Sequence, residues 1–354
     1  MIRAALSTAF LAALAVACKG ADAPVTAQTW PEADALFHAD PRWLGADGAY
    51  SVDLGADRSL WVFGDTYLAS HPGGTRDDAL FLHNSAAVQT GRDPSEALIE
   101  FAWGADAAGN PQSFLAQEGS DWFWPSGGAR LGSSLLLFWS RVRNTSSGGF
   151  EQYSWRVTIV SDPDDPPTAW TFDDAMLPAD TQGVEFVGAV MADAGYLYAW
   201  GELPGDLHDL VLARWSASSA ASGDLTTPDW WCGDRWASGD CGGPPAVVVH
   251  QGAPELSVQR DGHLAPYVMV QTEGYGASTL ALRTAPAPEG PWSDAESFFR
   301  PPESLAEEAF VYAGKAHPEL TGANIVATYV PTTFGPTPSD EDLYRPHFVR
   351  IEYR

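Results

Sequence analysis

The sequence predicts an all-β fold, because short apolar strands recur along it and no segment shows a sustained helical period. Turn-forming residues, among them 34 Gly and 27 Pro, interrupt the chain throughout its 354 residues. The densest apolar strands start 58 to 75 residues apart and are Leu60–Phe63, Leu135–Trp139, Leu197–Trp200, Tyr267–Val270 and Ile325–Tyr329. A repeat of this length, built from short strands, is typical of a propeller blade, so the sequence predicts a single five-bladed β-propeller domain.

A second repeat supports this count. In three blades another strand follows the apolar one and leads, after a turn rich in Ser, Ala and Pro, to a tryptophan. These tryptophans, Trp170, Trp230 and Trp292, are 60 and 62 residues apart. The C-terminal strand 348–353 is expected to complete a blade and to close the ring.

The charge of the chain excludes one class of partner. Nineteen Lys and Arg residues against 46 Asp and Glu give a formal net charge of −27. Nucleic acid is not expected as a partner, because its binding depends on clustered basic residues. Acidic loops such as 162–165 have oxygen ligands for Ca²⁺ but lack the spacing of a known calcium loop. The sequence therefore predicts no metal and no other cofactor, with Ca²⁺ as the alternative.

The N-terminal segment has the form of an export signal. Arg3 precedes an apolar stretch, residues 4–17, that is too short to span a bilayer. The stretch ends at Cys18 in a sequence that resembles a bacterial lipobox, although Ala15 stands where the pattern prefers Leu. Cys18 is therefore predicted to be lipidated, with plain secretion as the alternative.

These observations divide the chain into a signal peptide over 1–17, a lipid-anchored tether over 18–30 and the propeller over 31–354. The predicted location is the bacterial cell envelope, and the lipid anchor is the only membrane contact expected.

Two further cysteines, Cys232 and Cys241, lie nine residues apart. In an exported protein such a pair is expected to form a disulfide that closes a surface loop, here in the third blade. A metal site would need more ligands than this loop offers.

Side chains at the starts of the inner strands are expected to line the central pocket. Asp47, Glu185 and Glu255 occupy this place in the first, third and fourth blades, and His317 occupies it in the fifth. Facing carboxylates suit glycoside hydrolysis, in which one protonates the leaving oxygen while another stays ionised as base or nucleophile. The alternative for each carboxylate is a structural role, in which it caps a turn or pairs with an arginine. Nearby aromatic residues such as Trp122 favour a sugar site.

Several motifs resemble a family of exported five-bladed propellers catalogued as domain of unknown function 4185. The most specific are Phe63-Gly64-Asp65-Thr66 and the pair Arg283-Thr284-Ala285-Pro286 and Gly290-Pro291-Trp292-Ser293, and the resemblance extends from about Trp43 to the C-terminus. That family is similar to glycosidase propellers that act on arabinans, xylans and fructans, and some of its members are endo-D-arabinanases. The resemblance implies the propeller fold and an exported hydrolase of furanosidic polysaccharides.

The resemblance also implies roles for individual residues. Asp47 matches the first-blade aspartate that serves as base or nucleophile. Glu185 occupies the third-blade position of the general acid, and Glu255 is the rival acid. Asp65, one strand further out, either orients Asp47 or caps a turn.

Six residues are candidates for substrate binding: Tyr50, His83, Asn84, Trp124, Lys315 and His317. His83 and Asn84 carry groups that can hydrogen-bond sugar hydroxyls, although an Asn-Ser pair also suits a strand edge. His317 is either a packed, hydrogen-bonded residue or a metal ligand. Lys315, the only lysine of the predicted propeller, either lowers the pKa of a neighbouring carboxylate or is exposed to solvent.

Two functions remain open on this evidence. The first is a monomeric, surface-anchored glycoside hydrolase of endo-arabinanase type that acts on a polysaccharide or oligosaccharide. The alternative is a non-catalytic propeller that binds carbohydrate or serves as a scaffold, because propellers host many unrelated functions. A facing carboxylate pair in the central pocket favours the hydrolase, and its absence favours the binding protein.

Overall fold

A computed structural model describes residues 24–205, 208–273, 278–305, 309–333 and 342–354. The predicted signal peptide and the lipidation site at Cys18 lie outside these residues. None of the helices within the described ranges is long and apolar enough to cross a membrane.

Five antiparallel sheets, named I to V, follow one another along the chain. Sheet I contains Tyr50–Gly55, Arg58–Phe63, Ser85–Thr90 and Leu98–Ala102. Sheet II contains Trp122–Leu131, Ser134–Asn144, Phe150–Val160 and Asp173–Asp174. Sheet III contains Glu185–Asp193, Tyr196–Glu202, Leu210–Ser216, Asp229–Trp231, Trp236–Ser238 and Val247–Val249. Sheet IV contains Leu256–Arg260, Tyr267–Glu273, Thr279–Ala285 and Glu296–Phe299. Sheet V contains Ala309–Ala316, Ile325–Thr333, His347–Tyr353 and Val25–Thr29.

The remaining elements are short. Two small sheets comprise Trp43–Ala46, Thr66–Leu68 and Leu80–Leu82, and Gly104–Ala105 with Pro111–Gln112. The α-helices are Pro31–Asp34 and Ala217–Ala221, and the 3₁₀-helices are Ala35–His38, Arg76–Asp78, Pro167–Ala169 and Pro302–Leu305. The prediction of an all-β fold is confirmed, and each of the five apolar runs lies in the second strand of its sheet.

Sheet V joins distant parts of the chain. Val25–Thr29 pairs antiparallel with the C-terminal strand, in the register Val25 to Tyr353 and Thr29 to Val349. The C-terminal strand is therefore the third strand of this sheet, and the segment Val25–Thr29 supplies the fourth. The predicted tether over 18–30 is wrong for residues 25–29, because their backbone groups are paired within the sheet.

The apolar core is divided into five buried clusters, one at each interface between neighbouring sheets. Between sheets V and I, the ring of Phe37 lies edge-on to Trp61 and stacks on Phe348, with 5.1 Å between ring centroids in both pairs. Such aromatic pairs contribute about 0.5–1.5 kcal/mol each beyond the area that they bury. The clusters hold the sheets face to face around a centre.

The first strands of all five sheets surround a central cavity of about 750 Å³. Closure between sheets I and V includes a hydrogen bond of 2.7 Å between Ser51 Oγ and His317 Nδ1. The first strand of sheet I runs from Tyr50, at one end of the central channel, to Gly55 at the other. We call the end near Tyr50 the site end and the end near Gly55 the opposite end.

Candidate active site

A second cavity, of about 350 Å³, lies at the site end of the channel. Its lining is rich in carboxylate and aromatic side chains: Asp47, Tyr50, Asp65, Trp124, Phe150, Glu255, Phe310 and Tyr312. We call it the carboxylate cavity. It brings together residues from all five sheets or the turns next to them, which are far apart in the sequence.

Asp47 reaches this cavity from a tight turn before sheet I. Gly48 and Ala49 both have positive φ angles, 76° and 54°, and the Ala49 and Gly64 amides donate to the Asp47 carbonyl at 3.0 Å. The Asp47 amide in turn donates to the Asp65 carbonyl at 3.3 Å, which places the two aspartates side by side. A Cβ atom at Gly64 would overlap Asp47 Oδ1, so this approach requires glycine.

A bulge in sheet V turns two further side chains toward the site. Ala313 adopts φ 58°, and the pairing register shifts between Tyr312 and Lys315. Residues three apart on a regular strand point to opposite faces, whereas the bulge directs both Tyr312 and Lys315 at carboxylates of the cavity. Tyr312 Oη donates to Asp47 Oδ2 at 2.8 Å. Tyr344, from the turn before the C-terminal strand, donates to the same oxygen at 3.0 Å.

Glu255 is held by Lys315. Lys315 Nζ donates to Glu255 Oε2 at 2.9 Å and to the Ala313 carbonyl at 3.0 Å, and it also contacts the Gly48 carbonyl. The ammonium group lies 4.3 Å from the ring centroid of Tyr50. The Lys315 side chain is 2% exposed and that of Glu255 is 24% exposed, so the ion pair is shielded at the lysine and open at the carboxylate.

Asp65 is fixed by an aromatic wall. Its Oδ1 accepts from Trp124 Nε1 at 2.8 Å and contacts His83 Nδ1 at 3.0 Å. The His83 ring stacks on Trp122, with centroids 4.6 Å apart. Asp65 thus adds negative charge beside Asp47, and His83 positions Asp65 from outside the lining of the cavity.

Burial and the neighbouring carboxylates change the proton affinity of Asp47. Burial, together with the negative charges of Asp65 and Glu255, raises the pKa of Asp47 to about 8, although the hydrogen bonds from Tyr312 and Tyr344 lower it. Burial lowers the pKa of Lys315, and the charge of Glu255 opposes that effect. At neutral pH the Asp47 carboxyl therefore carries a proton for most of the time.

The structure does not bring Glu185 into this cavity. The first strand of sheet III has an irregular register between Glu185 and Ala189, and Val187 takes its place in the lining. Glu185 instead lies opposite Glu202 in the neighbouring strand, and burial followed by the Glu202 charge raises the Glu185 pKa. Glu255 is therefore the carboxylate that shares the cavity with Asp47 and Asp65.

Two residues predicted to bind substrate make hydrogen bonds within the protein instead. Asn84 is fully buried, its Nδ2 donates to the carbonyls of Leu115 and Phe123, and its Oδ1 accepts from the Leu115 amide. Asn84 is thus wrong as a sugar-binding residue, because its polar atoms are satisfied where no ligand reaches.

His317 is also a structural residue. Its Nδ1 bonds Ser51 and its Nε2 bonds Thr328 Oγ1 at 2.9 Å, while the ring packs 4.6 Å from that of Trp61. Burial and the charge of Lys315 hold the His317 pKa well below its usual value, so the ring is neutral. With both nitrogens in use, His317 does not serve the predicted role in substrate binding or the alternative role as a metal ligand. No group of three or more metal-binding side chains occurs among the described residues.

Four other residues were not predicted as site residues: Tyr312, Tyr344, Phe150 and Phe310. Of these, Tyr312 owes its orientation to the bulge, which the sequence does not mark. Phe150 lies at the turn of a hairpin in sheet II, is 59% exposed and approaches Trp124 to 4.9 Å. The Cys232–Cys241 disulfide is present in sheet III.

The sequence of the chain matches a known protein family. A family model described as domain of unknown function 5005 matches residues 32–353. The chain belongs to this family. The expected assignment to domain of unknown function 4185 is therefore wrong. No curated protein sequence matches the chain.

Solved structures of similar fold come from distant relatives. A candidate hydrolase from Bacteroides ovatus ATCC 8483 is 16% identical, with 92% of this chain and 90% of that chain covered and a TM-score of 0.72. An exo-β-1,3-galactanase from Phanerochaete chrysosporium, in complex with galactose, is 14% identical, with 86% and 60% covered and a TM-score of 0.50. These likenesses establish the fold, which is that of β-propeller glycosidases.

Proposed function

We propose that the protein is a glycoside hydrolase, a five-bladed propeller that cleaves a furanosidic polysaccharide of arabinan type in the carboxylate cavity. The observation that carries this proposal is the convergence of Asp47 and Glu255 in one cavity walled by aromatic rings. The similarity to glycosidase folds and the resemblance noted in the sequence support it. The choice of an arabinan follows from that resemblance alone.

The cavity meets the two chemical requirements of glycosidic cleavage. One carboxyl group must carry a proton for the leaving oxygen, and another must be ionised to act on the sugar or on water. The proton on Asp47 and the ion pair between Glu255 and Lys315 supply one group of each kind. Tyr50 and Trp124 offer apolar ring faces for the sugar, since aromatic rings cover the C–H groups of a saccharide.

The catalytic pair in this proposal is Asp47 and Glu255, with Asp65 as the group that sets the charge around Asp47. The resemblance implies that Asp47 is the base or nucleophile, which leaves the acid role to Glu255, whereas the proton on Asp47 and the ion pair of Glu255 favour the reverse assignment. When the acid is replaced, natural glycosides suffer more than activated aryl glycosides, because a good leaving group needs little protonation. Comparing Asp47→Asn with Glu255→Gln on both kinds of substrate therefore assigns the roles.

The experiment that tests the function is release of reducing sugars from a panel of polysaccharides, including arabinan and β-1,3-galactan, by purified wild type. Activity that is lost in both Asp47→Asn and Glu255→Gln supports the proposal. If wild type binds glycans but hydrolyses none, the hypothesis of a non-catalytic carbohydrate-binding protein replaces the hydrolase proposal. Activity that survives both substitutions would place the reaction elsewhere.

The predicted envelope location is a separate proposal. It depends on the lipobox-like sequence before Cys18. Mass spectrometry of the mature protein from its native host should find an acylated Cys18, and the Cys18→Ser variant should lose the anchor. An unmodified N-terminus at that position would leave secretion as the alternative.

A further inference from the structure

A third cavity, of about 720 Å³, adjoins the carboxylate cavity. The two linings share four residues: Pro254, Glu255, Phe310 and Tyr312. Glu255 and the tyrosine that bonds Asp47 thus stand at the junction. A ligand that extends from the carboxylate cavity past Glu255 enters the third cavity without leaving the protein surface.

The third cavity differs from the carboxylate cavity in the chemistry of its lining. Where the carboxylate cavity has aromatic walls, this one presents polar side chains: His208, Gln251, Gln271, Glu273 and Arg283. Arg283 is 9% exposed, and it is fixed by a hydrogen bond of 3.0 Å from Nη1 to the Ser293 carbonyl and one of 3.4 Å from Nε to Gln271 Oε1. Arg283 Nη2 also donates to the carbonyls of His250 and Gln251, so the guanidinium supports the wall. The exposed side chains of His208, Gln251 and Glu273 are the groups that can recognise sugar hydroxyls through directional hydrogen bonds.

The backbone of this wall is held in an unusual conformation. Gln251 and Ala313, both lining the cavity, have φ angles of 53° and 58°. Left-handed conformations of residues other than glycine cost about 1–2 kcal/mol each. The Ala313 bulge is also the feature that aims Tyr312 and Lys315 at the catalytic carboxylates. The shape of the third cavity and the geometry of the pair are therefore set by the same strained segment.

The volume of the carboxylate cavity limits what it can hold alone. At ~30 Å³ per molecule, it has the space of about a dozen liquid water molecules, and the third cavity has the space of about two dozen. The carboxylate cavity is therefore large enough only for a short saccharide. Further units of a polymer must continue beyond it, and the junction at Glu255 gives them a polar path.

The charges along this path select the kind of chain. The joined cavities carry the negative charges of Asp65 and Glu273, while Asp47 holds a proton and Glu255 is paired with Lys315, and the whole chain has a formal net charge of −27. A polysaccharide of uronic acids would be repelled by this field, whereas a neutral glycan would not.

From these observations we infer that the third cavity is a saccharide-binding subsite, and that the substrate is a neutral glycan chain that crosses the Asp47 and Glu255 pair and is cut internally. This inference rests on the proposed hydrolase function and adds a binding site for further sugar units and the mode of cleavage.

The test compares Glu273→Gln with Glu296→Gln. Glu273 is exposed on the wall of the third cavity, and Glu296 is exposed on the outer strand of the same sheet, so the second variant controls for the same chemical change. The probes are linear arabino-oligosaccharides and β-1,3-galacto-oligosaccharides from disaccharide to octasaccharide. For the longer members of the series that wild type cleaves, Glu273→Gln should raise KM about tenfold, the loss expected for one hydrogen bond to a charged group. The shortest cleaved member should be unaffected, and Glu296→Gln should match wild type throughout.

Early products give an independent readout. Internal cleavage by wild type releases a mixture of oligosaccharides, whereas terminal cleavage releases one small sugar from the start. A KM that is unchanged in Glu273→Gln, or raised equally for every chain length, would overturn the subsite, as would release of monosaccharide alone. If wild type cleaves no glycan, the hydrolase proposal fails instead. Titration of the uncleaved oligosaccharides into wild type and Glu273→Gln would then still test the subsite by a loss of affinity for long chains alone.

Discussion

The aspartates at the two ends of the central channel have opposite environments. At the site end, Asp47 has tyrosine hydroxyls and other carboxylates as neighbours, and its pKa rises to about 8. At the opposite end, Asp164 accepts hydrogen bonds from Arg130 at 2.8 and 2.9 Å and also pairs with Arg58. The hydrogen bond from Arg130 lowers the pKa of Asp164.

The comparison teaches that position around the ring does not by itself make a carboxylate reactive. Both ends are lined by the same inner strands, and both carry acidic residues. At the opposite end, Asp164 pairs with Arg58 and Asp53 pairs with Arg92, so the charge of each aspartate is matched. At the site end Asp47 is buried beside other carboxylates, and burial together with their charges leaves a proton on it that is available for chemistry.

The most direct test of the difference between the two ends is to neutralise one aspartate at each end. Asp47→Asn should lower kcat by about 10²–10⁴-fold on any substrate that wild type cleaves, the usual contribution of a positioned acid or base. Asp164→Asn should retain wild-type kcat, because its partners are arginines far from the carboxylate cavity. Equal losses in the two variants, measured by steady-state kinetics, would show that the ends are not distinct in function.

The same two variants should differ in how stability depends on pH. The stabilisation linked to Asp47 is fully present below its ordinary pKa and is lost as pH rises toward about 8, by up to ~1.4 kcal/mol per pH unit. Asp47→Asn should therefore become more stable than wild type as pH is raised from 5 to 8. The stabilisation linked to Asp164 is present above its ordinary pKa and is lost as pH falls, so Asp164→Asn should be destabilised at neutral pH and not in acid. Urea unfolding from about pH 3 to pH 8 measures both free energies, because the Asp164 contribution is lost only below its ordinary pKa, and parallel curves for the two variants would contradict the assignment.

Lys315→Met tests whether the ion pair positions Glu255. Removal of the ammonium group should lower kcat about tenfold to a hundredfold, the range expected for a hydrogen bond between charged groups. Lys315 also binds the carbonyls of Gly48 and Ala313, so the variant should unfold at lower temperature as well. The double variant with Glu255→Gln separates these effects, because the loss of kcat should not add to that of Glu255→Gln alone. Fully additive losses would mean that Lys315 acts independently of Glu255.

Tyr312→Phe should move the pH profile. The Tyr312 hydrogen bond lowers the pKa of Asp47, so its removal should shift the corresponding limb of the kcat/KM profile to higher pH. A rising limb would identify Asp47 as the base and a falling limb as the acid. Tyr329→Phe is the matched control, since Tyr329 is buried and donates to Glu303 at 2.8 Å away from the cavity. An unchanged limb in Tyr312→Phe would separate Asp47 from the ionisation that governs activity.

The smallest expected effect concerns Phe150, an exposed residue in the lining of the carboxylate cavity. Phe150→Ala removes an exposed ring from the carboxylate cavity and should raise KM for a cleaved polysaccharide about fivefold, which is on the order of 1 kcal/mol. Leu98→Ala, at a side chain that is 75% exposed on sheet I, controls for loss of an exposed apolar group. A KM that rises equally in both variants would argue against sugar stacking at Phe150.

The parts of this structure that could be predicted from the sequence are those with a simple period. The second strand of each sheet is a dense apolar run because it is buried on both faces, and this makes the repeat visible. The position at the start of an inner strand then predicted Asp47 and Glu255 as site residues. Glu185 was misplaced because an irregular register shifts its side chain relative to the other blades, and no composition signal marks such a shift. Tyr344 reaches Asp47 from a turn nearly 300 residues away, a contact that only the closed ring creates.

Closure of sheet V by Val25–Thr29 has a consequence for solubility. This strand covers the edge of His347–Tyr353 along residues 349–353, and the covered strand includes the buried residues Phe348, Val349 and Ile351. A chain cut by a protease just before Trp30 would expose that edge as a row of unpaired backbone groups beside an apolar face. Such an edge is a template for pairing with other molecules. The short N-terminal strand therefore protects the folded protein against aggregation.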